Sequence, residues 1–380
     1  MKTVRDIPLL KNVPILVRAA MNVPVEDDRV VNDYRLRRAL PTIRFLSGQG
    51  ARVILISHIG ERGTETLAPI ARVLRNSFQR LSFFGETVGK RAGEAVRNML
   101  PGDVLVLENL RRSQGEKAND PGFARELAAL ADVFVQDSFD TCHRTHASIV
   151  GVPRLLPSYA GLTLEEEVRE LRKALAPIHP SLAVIGGAKF NTKEAVLTTL
   201  LQTYDRVFVG GALAHDFFRA AGHPIGKSLA SPMANDDVQK ILANPKLVLP
   251  VDSLVITTTA PDSRHRVTRV APLGQIHPDE SIVDHGSGTN ALMTTLTRGM
   301  RTILWNGPLG NYENGFVTAT DTFARDIAAS GARSVVGGGD TIAAIEDLGL
   351  LSRFSFVSTG GGAMLDFIAH GTLPGIVALG

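Results

Sequence analysis

Residues 182–214 read LAVIGGAKFNTKEAVLTTLLQTYDRVFVGGALA. Two short aliphatic runs, each ending in Gly-Gly, flank a longer segment whose apolar residues recur at helical spacing. A run that is continuously apolar rather than alternating predicts a strand covered on both faces, and strand, helix, strand in that order is the unit of a parallel sheet. The same grammar appears across the chain. In the first half the runs are PILVRAAMNVP (14–24), RVILISHIG (52–60), DVLVLENLRR (103–112) and DVFVQDSF (132–139). In the second half TILWNGPLGNYE (302–313), SVVGGGDT (334–341) and FSFVSTGGG (354–362) follow the opening pair. The expected fold is therefore α/β and doubly wound, with ligands held beyond the carboxyl ends of the strands.

A chain of 380 residues exceeds what one core usually supports, so two domains are expected. Between the halves, residues 162–175 form a charged amphipathic helix with Leu164, Val168, Leu171 and Leu175 on one face. Thr163 and Glu166 fit a capping box at its start, and Pro177 stops it. It reads as a connector and places the boundary near residue 160. The first domain is expected over 1–160 and the helix with the second domain over 161–367, the tail 368–380 returning to the first.

Apolar residues make up 44% of the chain and charged residues 21%, and the formal net charge is only +3 with the basic residues dispersed. That pattern disfavours nucleic acid or a membrane surface as partner. No uncharged apolar run reaches the ~18 residues of a membrane span, and the N-terminal stretch is broken by Asp6, Lys11 and two prolines. The single cysteine, Cys142, fits a reducing compartment, and the cytoplasm is the expected location.

Two motifs resemble phosphate sites and are set aside. AGHPIGKS (221–228) nearly matches a P-loop, yet helical sequence rather than a strand precedes it. GSGTNA (286–291) fits the loose dinucleotide fingerprint, but the following strand ends in Asn306 where an acid would hold the ribose.

Arg18, Asn22, Arg35, His58, Arg62, Arg111, Arg112, His143, Arg144 and His146 fall after strands of the first half, as an anion-binding edge would require. A guanidinium grips phosphate or carboxylate through paired hydrogen bonds and keeps its charge. His143 and His146 have no further ligand at zinc spacing and read as hydrogen-bonding groups. The second half supplies glycine turns at 186–189, 210–211, 307–310, 337–341 and 359–363, with Lys189, Lys193 and Asp340 beside them. Glycine turns that open helices aim free amides at phosphate, and an acid there suits a phosphate-bound magnesium. An anion edge in one half and a nucleotide site in the other describe phosphoryl transfer, which requires the two sites to close on each other and shed water.

These strings in their order resemble the phosphoglycerate kinases: VRAAMNVP, RALPTI, VILISHIG, VLENLRR, HRTHAS, GGAKF, GKSL, LPVD, WNGPLG, GGGDT and STGGGA. The resemblance implies two Rossmann-like domains, each a mostly parallel sheet covered by helices, joined by a hinge helix. It also implies a monomer that moves phosphate reversibly between ATP and the carboxylate of 3-phosphoglycerate, with Mg2+, in glycolysis. Carried over by position, Arg35, Lys189 and Gly338 are the implied catalytic residues. Asn22, Arg35, His58, Arg111 and Arg144 are the implied acid-substrate site. Gly187, Lys189, Lys193, Gly210, Gly211, Asn306, Pro308, Glu313, Gly337, Gly338, Gly339, Asp340 and Thr341 are the implied ATP/ADP site. Glu313 would take the ribose hydroxyls and Asp340 the metal.

The departures concentrate on the acid side. Ala20 stands where the family has an aspartate for the substrate hydroxyl, Glu61 where it has a phosphate-binding arginine, and Asp140 where it has glycine. Thr192 replaces an aspartate, and Ser287 with Gly288 replaces a proline and a basic residue. These changes leave open a different small carboxylic acid as acceptor, or a nucleotide-binding protein without chemistry.

Overall fold

The computed structural model describes residues 1–188, 190, 193–231, 236–258 and 266–380. The chain divides into two compact units: Met1–Arg169 with Thr372–Gly380, and Glu170–Gly371. The division falls within the helix Leu162–Leu175.

Strands of the first unit are β1 (Pro14–Ala19), β2 (Val25–Glu26), β3 (Arg29–Val30), β4 (Arg52–Ile56), β5 (Leu81–Phe84), β6 (Val104–Leu107), β7 (Val133–Asp137) and β8 (Ser158–Ala160). Six of them form one parallel sheet in the order β5-β6-β4-β1-β7-β8, while β2 and β3 pair as a small antiparallel ribbon. The continuous apolar runs have a simple cause. Ile15, Val17, Ala19, Val53, Leu55, Val104, Val106 and Val135 face the helices Tyr34–Gly48 and Ala68–Leu74. The intervening Leu16, Ile54, Ile56, Leu105, Leu107 and Phe134 face Lys90–Arg97 and Pro121–Ala128. Both faces of the period-two strand are covered, so no polar alternation survives.

The C-terminal segment belongs to this unit. Gly375 N–H donates to the Cys142 carbonyl at 2.8 Å, and a Cβ on Gly375 would sit 3.1 Å from the Cys142 sulfur. Cys142 is buried and unpaired.

The second unit continues with β9 (Ser181–Ile185), β10 (Arg206–Val209), β11 (Leu247–Val248), β12 (Asp252–Thr258), β13 (Arg266–Pro272), β14 (Glu280–His285), β15 (Thr302–Asn306), β16 (Arg333–Gly337) and β17 (Phe356–Val357). Its parallel sheet runs β11-β10-β9-β15-β16-β17. The chain winds outward from β9 through β10 to β11, then restarts on the other side of β9 at β15. The crevice between β9 and β15 is therefore the topological switch point. Trp305 on β15 anchors the core, fully buried, edge-on to Phe323 at 5.1 Å and donating to the Gly307 carbonyl at 2.9 Å.

One feature departs from the parallel grammar. β13-β12-β14 form a separate antiparallel sheet. Val267 and Val270 of β13 are exposed while Ala271 is buried, and the strand RVTRVAP lacks the unbroken apolar run that marked the parallel strands.

The capping box predicted for Leu162–Leu175 is corrected. Asp137 Oδ1, at the end of β7, accepts from Thr163 N at 2.9 Å and Leu164 N at 3.2 Å. Thr163 lies inside the first turn and its hydroxyl donates to the Arg38 carbonyl at 2.7 Å, while the Glu166 carboxylate pairs with Arg38. A buried carboxylate distant in sequence has taken the capping role.

Candidate active site

In the first unit, β1 delivers Arg18 to the middle of the sheet's carboxyl edge. Its guanidinium is 1% exposed and held on all sides. Nη1 donates to the Ala19 carbonyl at 2.8 Å and to Ser57 Oγ at 3.2 Å, and Nε donates to Ser148 Oγ at 3.1 Å. Ser148 in turn donates from Oγ to Glu116 Oε1 at 2.6 Å and from N to Oε2 at 3.0 Å. Arg18 Nη2 lies 2.8 Å from His58 Nδ1. Arginine only donates, so Nδ1 accepts and the His58 proton sits on Nε2. Burial, reinforced by Arg18, Arg111 and Arg144, holds His58 well below the ordinary histidine range. Burial and the charge of Arg144 lower His146 to about 4. The arginines thus supply the charge of this edge, and the two histidines are neutral.

Asn22 and Arg35 share a cavity of about 600 Å³ with Ile59, Gly60 and Glu65. Arg35 Nη1 donates to the Asn22 carbonyl at 2.9 Å, and Asn22 Oδ1 accepts from Gly60 N at 3.1 Å. Gly60 has φ +64°, and a Cβ there would collide with the Glu65 carboxylate, so only glycine fits this turn. Arg111 donates to the Gly60 carbonyl from beneath the same turn. Its side chain is 1% exposed, and Arg111 Nε is buried with no hydrogen-bond partner among the described residues.

In the second unit the switch point is a set of glycines packed against each other. Gly186 N donates to the Asn306 carbonyl at 2.8 Å and Gly187 N to the Pro308 carbonyl at 3.2 Å. A Cβ on Gly307 would approach Gly186 C at 2.7 Å, and one on Gly186 would collide with the Pro308 carbonyl. Two strand ends this close leave no room for side chains. Thr341 Oγ1 accepts from Gly307 N at 3.1 Å, and Asn306 Nδ2 lies 3.6 Å from the Met364 sulfur. Lys193 Nζ donates to the Gly186 carbonyl at 2.5 Å, and burial lowers its pKa to about 8.

Above these turns opens a cavity of about 570 Å³. Gly187, Gly211, Pro308, Glu313 and Asp340 line it. Asn306, Thr341 and Lys193 are instead buried supports beneath the turns. Gly210 and Gly337 belong to the same buried layer, a Cβ on Gly337 falling 3.3 Å from Asn306 Nδ2, whereas Gly338 and Gly339 open the helix Gly339–Asp347. Lys189 lies outside the described residues. His215, Lys227, Ser253, Tyr312 and His285 also line the cavity and were missed by sequence reasoning, because neither glycine turns nor basic spacing marks them.

The two set-aside motifs behave as their contexts require. AGHPIGKS follows the helix Leu213–Ala220 and no strand. GSGTNA does open the helix Ser287–Thr297, but Asp252 fills its N-terminus, accepting from Gly288 N at 2.9 Å and Thr289 N at 2.7 Å. A carboxylate already occupies the place a pyrophosphate would take.

A profile described as phosphoglycerate kinase matches residues 4–370. The chain belongs to the phosphoglycerate kinase family. The phosphoglycerate kinase of Pelotomaculum thermopropionicum is 42% identical over 391 residues, covering 100% of this chain and 98% of that protein. That of Moorella thermoacetica is 41% identical over 391 residues, covering 99% and 98%. The phosphoglycerate kinase structure from Pyrococcus horikoshii superposes with a TM-score of 0.87 at 30% identity, covering 100% of this chain and 98% of that one. That from Coxiella burnetii gives 0.82 at 36% identity, covering 99% and 97%.

Within this family frame the departures take physical form. Ala20 is buried, 3% exposed, and offers no hydrogen bond where the phosphoglycerate kinase pattern has a carboxylate. Glu61 Oε1 lies 3.0 Å from Arg111 Nη1 and Oε2 lies 3.6 Å from Lys117 Nζ. Partial burial pushes the Glu61 pKa up, but Arg111, with Arg144 and Lys117 behind it, carries it below the usual range. Asp140 Oδ1 accepts from Ser138 Oγ at 2.5 Å. Ser287 and Gly288 form the Asp252-capped helix start, and Thr192 lies outside the described residues.

Proposed function

We propose that this chain transfers the γ-phosphoryl group of ATP, reversibly, to the carboxylate of 3-phosphoglycerate, giving an acyl phosphate and ADP. The observation that carries the reading is the glycine-walled crevice between β9 and β15, opening onto a cavity with Glu313 and Asp340 on its rim. Family membership supplies the reaction.

In this reading Asn22, Arg35, His58 and Arg144 hold the acid, with Arg35 beside the group in transfer. Arg111 contributes its buried charge from beneath Gly60. His58 donates its Nε2 proton to an anionic oxygen without itself changing charge, since its neutral state is fixed by burial and Arg18. Positioning and charge neutralisation do most of the work in phosphoryl transfer, so fixed arginines serve better than groups that titrate. On the nucleotide side, Gly187 and Gly211 keep the cavity wall free of side chains, the amides at the helix start Gly338–Gly339 face phosphate, and Glu313 takes the ribose hydroxyls. Lys193 holds the Gly186 turn in shape, and Gly210, Asn306, Pro308, Gly337 and Thr341 keep the crevice narrow. Lys189 and Gly338 complete the proposed catalytic set with Arg35.

Asp340 is exposed at the cavity and fits a magnesium ion carried by nucleotide phosphates. When bound, such an ion neutralises the charge on the β- and γ-phosphates.

No helix among the described residues is long and apolar enough to cross a membrane. A monomeric enzyme of the cytoplasm is the accompanying expectation. Steady-state assay with ATP, Mg2+ and 3-phosphoglycerate tests the reading, and absence of ADP formation would sink it.

A further inference from the structure

Glu65 follows Gly60 closely in SHIGERGTETLAP (57–69), and the loop folds its carboxylate back over the Gly60 backbone, where a Cβ would collide with both carboxylate oxygens. Both residues line the 600 Å³ cavity together with Asn22 and Arg35. Gly60 also orients Asn22. Its amide can only donate, so the Asn22 side-chain oxygen faces it at 3.1 Å and the Asn22 amide nitrogen is left to donate elsewhere. A hydrogen-bond donor and a carboxylate acceptor therefore stand at one glycine of the cavity wall.

The other carboxylates of this edge are already committed. Asp28, which lines the same cavity, pairs with Arg72. Glu108 is buried and accepts from Thr66 Oγ1 at 2.8 Å and Leu67 N at 2.9 Å. Glu61 is drawn to Arg111 and Lys117, and Asp140 to Ser138. Glu65 differs. It is exposed, and among the described residues its carboxylate is met only by the hydroxyl of neighbouring Thr64, at 3.3 Å, and by no cation.

A carboxylate in this position repels the phosphate and the carboxylate of the acid but welcomes an uncharged group that donates to it. On 3-phosphoglycerate that group is the hydroxyl of the second carbon, which donates one hydrogen bond and accepts others. Arg35, on the wall of the same cavity, offsets the negative charge that Glu65 adds. Ala20 offers the hydroxyl nothing, so an acceptor has to come from another segment.

We propose that Glu65 accepts a hydrogen bond from the 2-hydroxyl of the bound acid, with the Asn22 amide donating to the same oxygen, and that Glu65 is a specificity-determining residue of this enzyme. The inference rests on 3-phosphoglycerate as the acid. The competing view is a carboxylate that only braces the Gly60 turn.

Titration calorimetry on the full chain separates the two, comparing 3-phosphoglycerate with 3-phosphonooxypropanoate, which differs only in lacking the 2-hydroxyl. The parent should bind the hydroxylated acid roughly tenfold more tightly, the effect of one hydrogen bond to a charged group. Glu65→Ala should lose most of that preference through weaker binding of 3-phosphoglycerate, while the deoxy acid binds within about twofold of the parent or more tightly. Glu65→Gln keeps an oxygen at the same reach but no charge, so it should retain an intermediate preference, and it serves the comparison if alanine disturbs the turn. An equal loss for both acids marks a brace and overturns the proposal, as does a variant that keeps the full preference or a parent that binds both acids alike. If the parent binds neither acid, the 3-phosphoglycerate reading itself falls and this proposal with it.

Discussion

Glu61 Oε1 sits 3.0 Å from Arg111 Nη1, so an exposed carboxylate closes over a guanidinium that is itself 1% exposed. The charge that an incoming phosphate would seek is already answered from within the protein. Removing Glu61's charge should therefore strengthen acid binding. The gain is about 1 kcal/mol once solvent screening of an exposed carboxylate is allowed for, or roughly fivefold in KM. Glu61→Gln should lower KM for 3-phosphoglycerate with little change in KM for ATP. A KM that holds steady or rises would show that Glu61 does not compete with the substrate.

Arg18 is a buried charge whose loss should be felt in folding. It is linked through Ser148 to Glu116, a carboxylate 1% exposed. Arg18→Met leaves that carboxylate without its nearby cation, and breaking such a buried pair costs about 3–5 kcal/mol. Urea denaturation of Arg18→Met, Glu116→Gln and the double variant should show a double-variant loss smaller than the sum of the singles. Additive losses would mean the two charges do not sense each other.

Gly186→Ala places a methyl against the Pro308 carbonyl at the switch point, where the backbone cannot yield without parting β9 from β15. Overpacking of this kind costs about 1–3 kcal/mol, and nucleotide affinity should fall with it because the neighbouring Gly187 and Pro308 line the cavity. Thermal melting and ADP titration measure the two effects. A variant that melts and binds like the parent would refute the close approach.

Asp137, fully buried, has its pKa raised by burial from 3.8 to about 7, against the opposing hydrogen bonds from Thr42, Leu164 and Thr163. The folded protein therefore holds a proton that the unfolded chain releases near pH 4. Stability from this group is present below pH 4 and declines as pH rises to about 7, with a slope up to about 1.4 kcal/mol per unit. Asp137→Asn keeps an oxygen for Thr163 and Leu164 but cannot ionise. The stability of the parent relative to this variant should fall between pH 4 and 7 and level off above. A flat difference over that interval would contradict the raised pKa.

The sequence could name the glycines and arginines but not their neighbours. Local residue order carried the strand runs, because covering both faces of a parallel strand leaves an unbroken apolar string such as VILI within Arg52–Ile56. The β13-β12-β14 sheet escaped because its exposed face admits polar residues and scattered valines alike. The Thr163 and Glu166 pattern misled for a related reason. A cap is decided by whichever acceptor reaches the free amides, and Asp137, 26 residues from Thr163, reached them first.

What the sequence by itself determined is the family, the two parallel sheets and the glycine turns that must lie at strand ends. The family follows from the motif strings in their order, and the sheets and turns follow from periodicity and from conformations that glycine adopts most readily, which are local. The tertiary structure alone decided that Glu61 meets Arg111, that Arg18 fixes the proton of His58, and that Lys193, Asn306 and Thr341 lie beneath the cavity rather than in it. Each of these depends on a distance between residues far apart in the chain, and such distances are settled by how helices and strands pack, not by the order in which they occur.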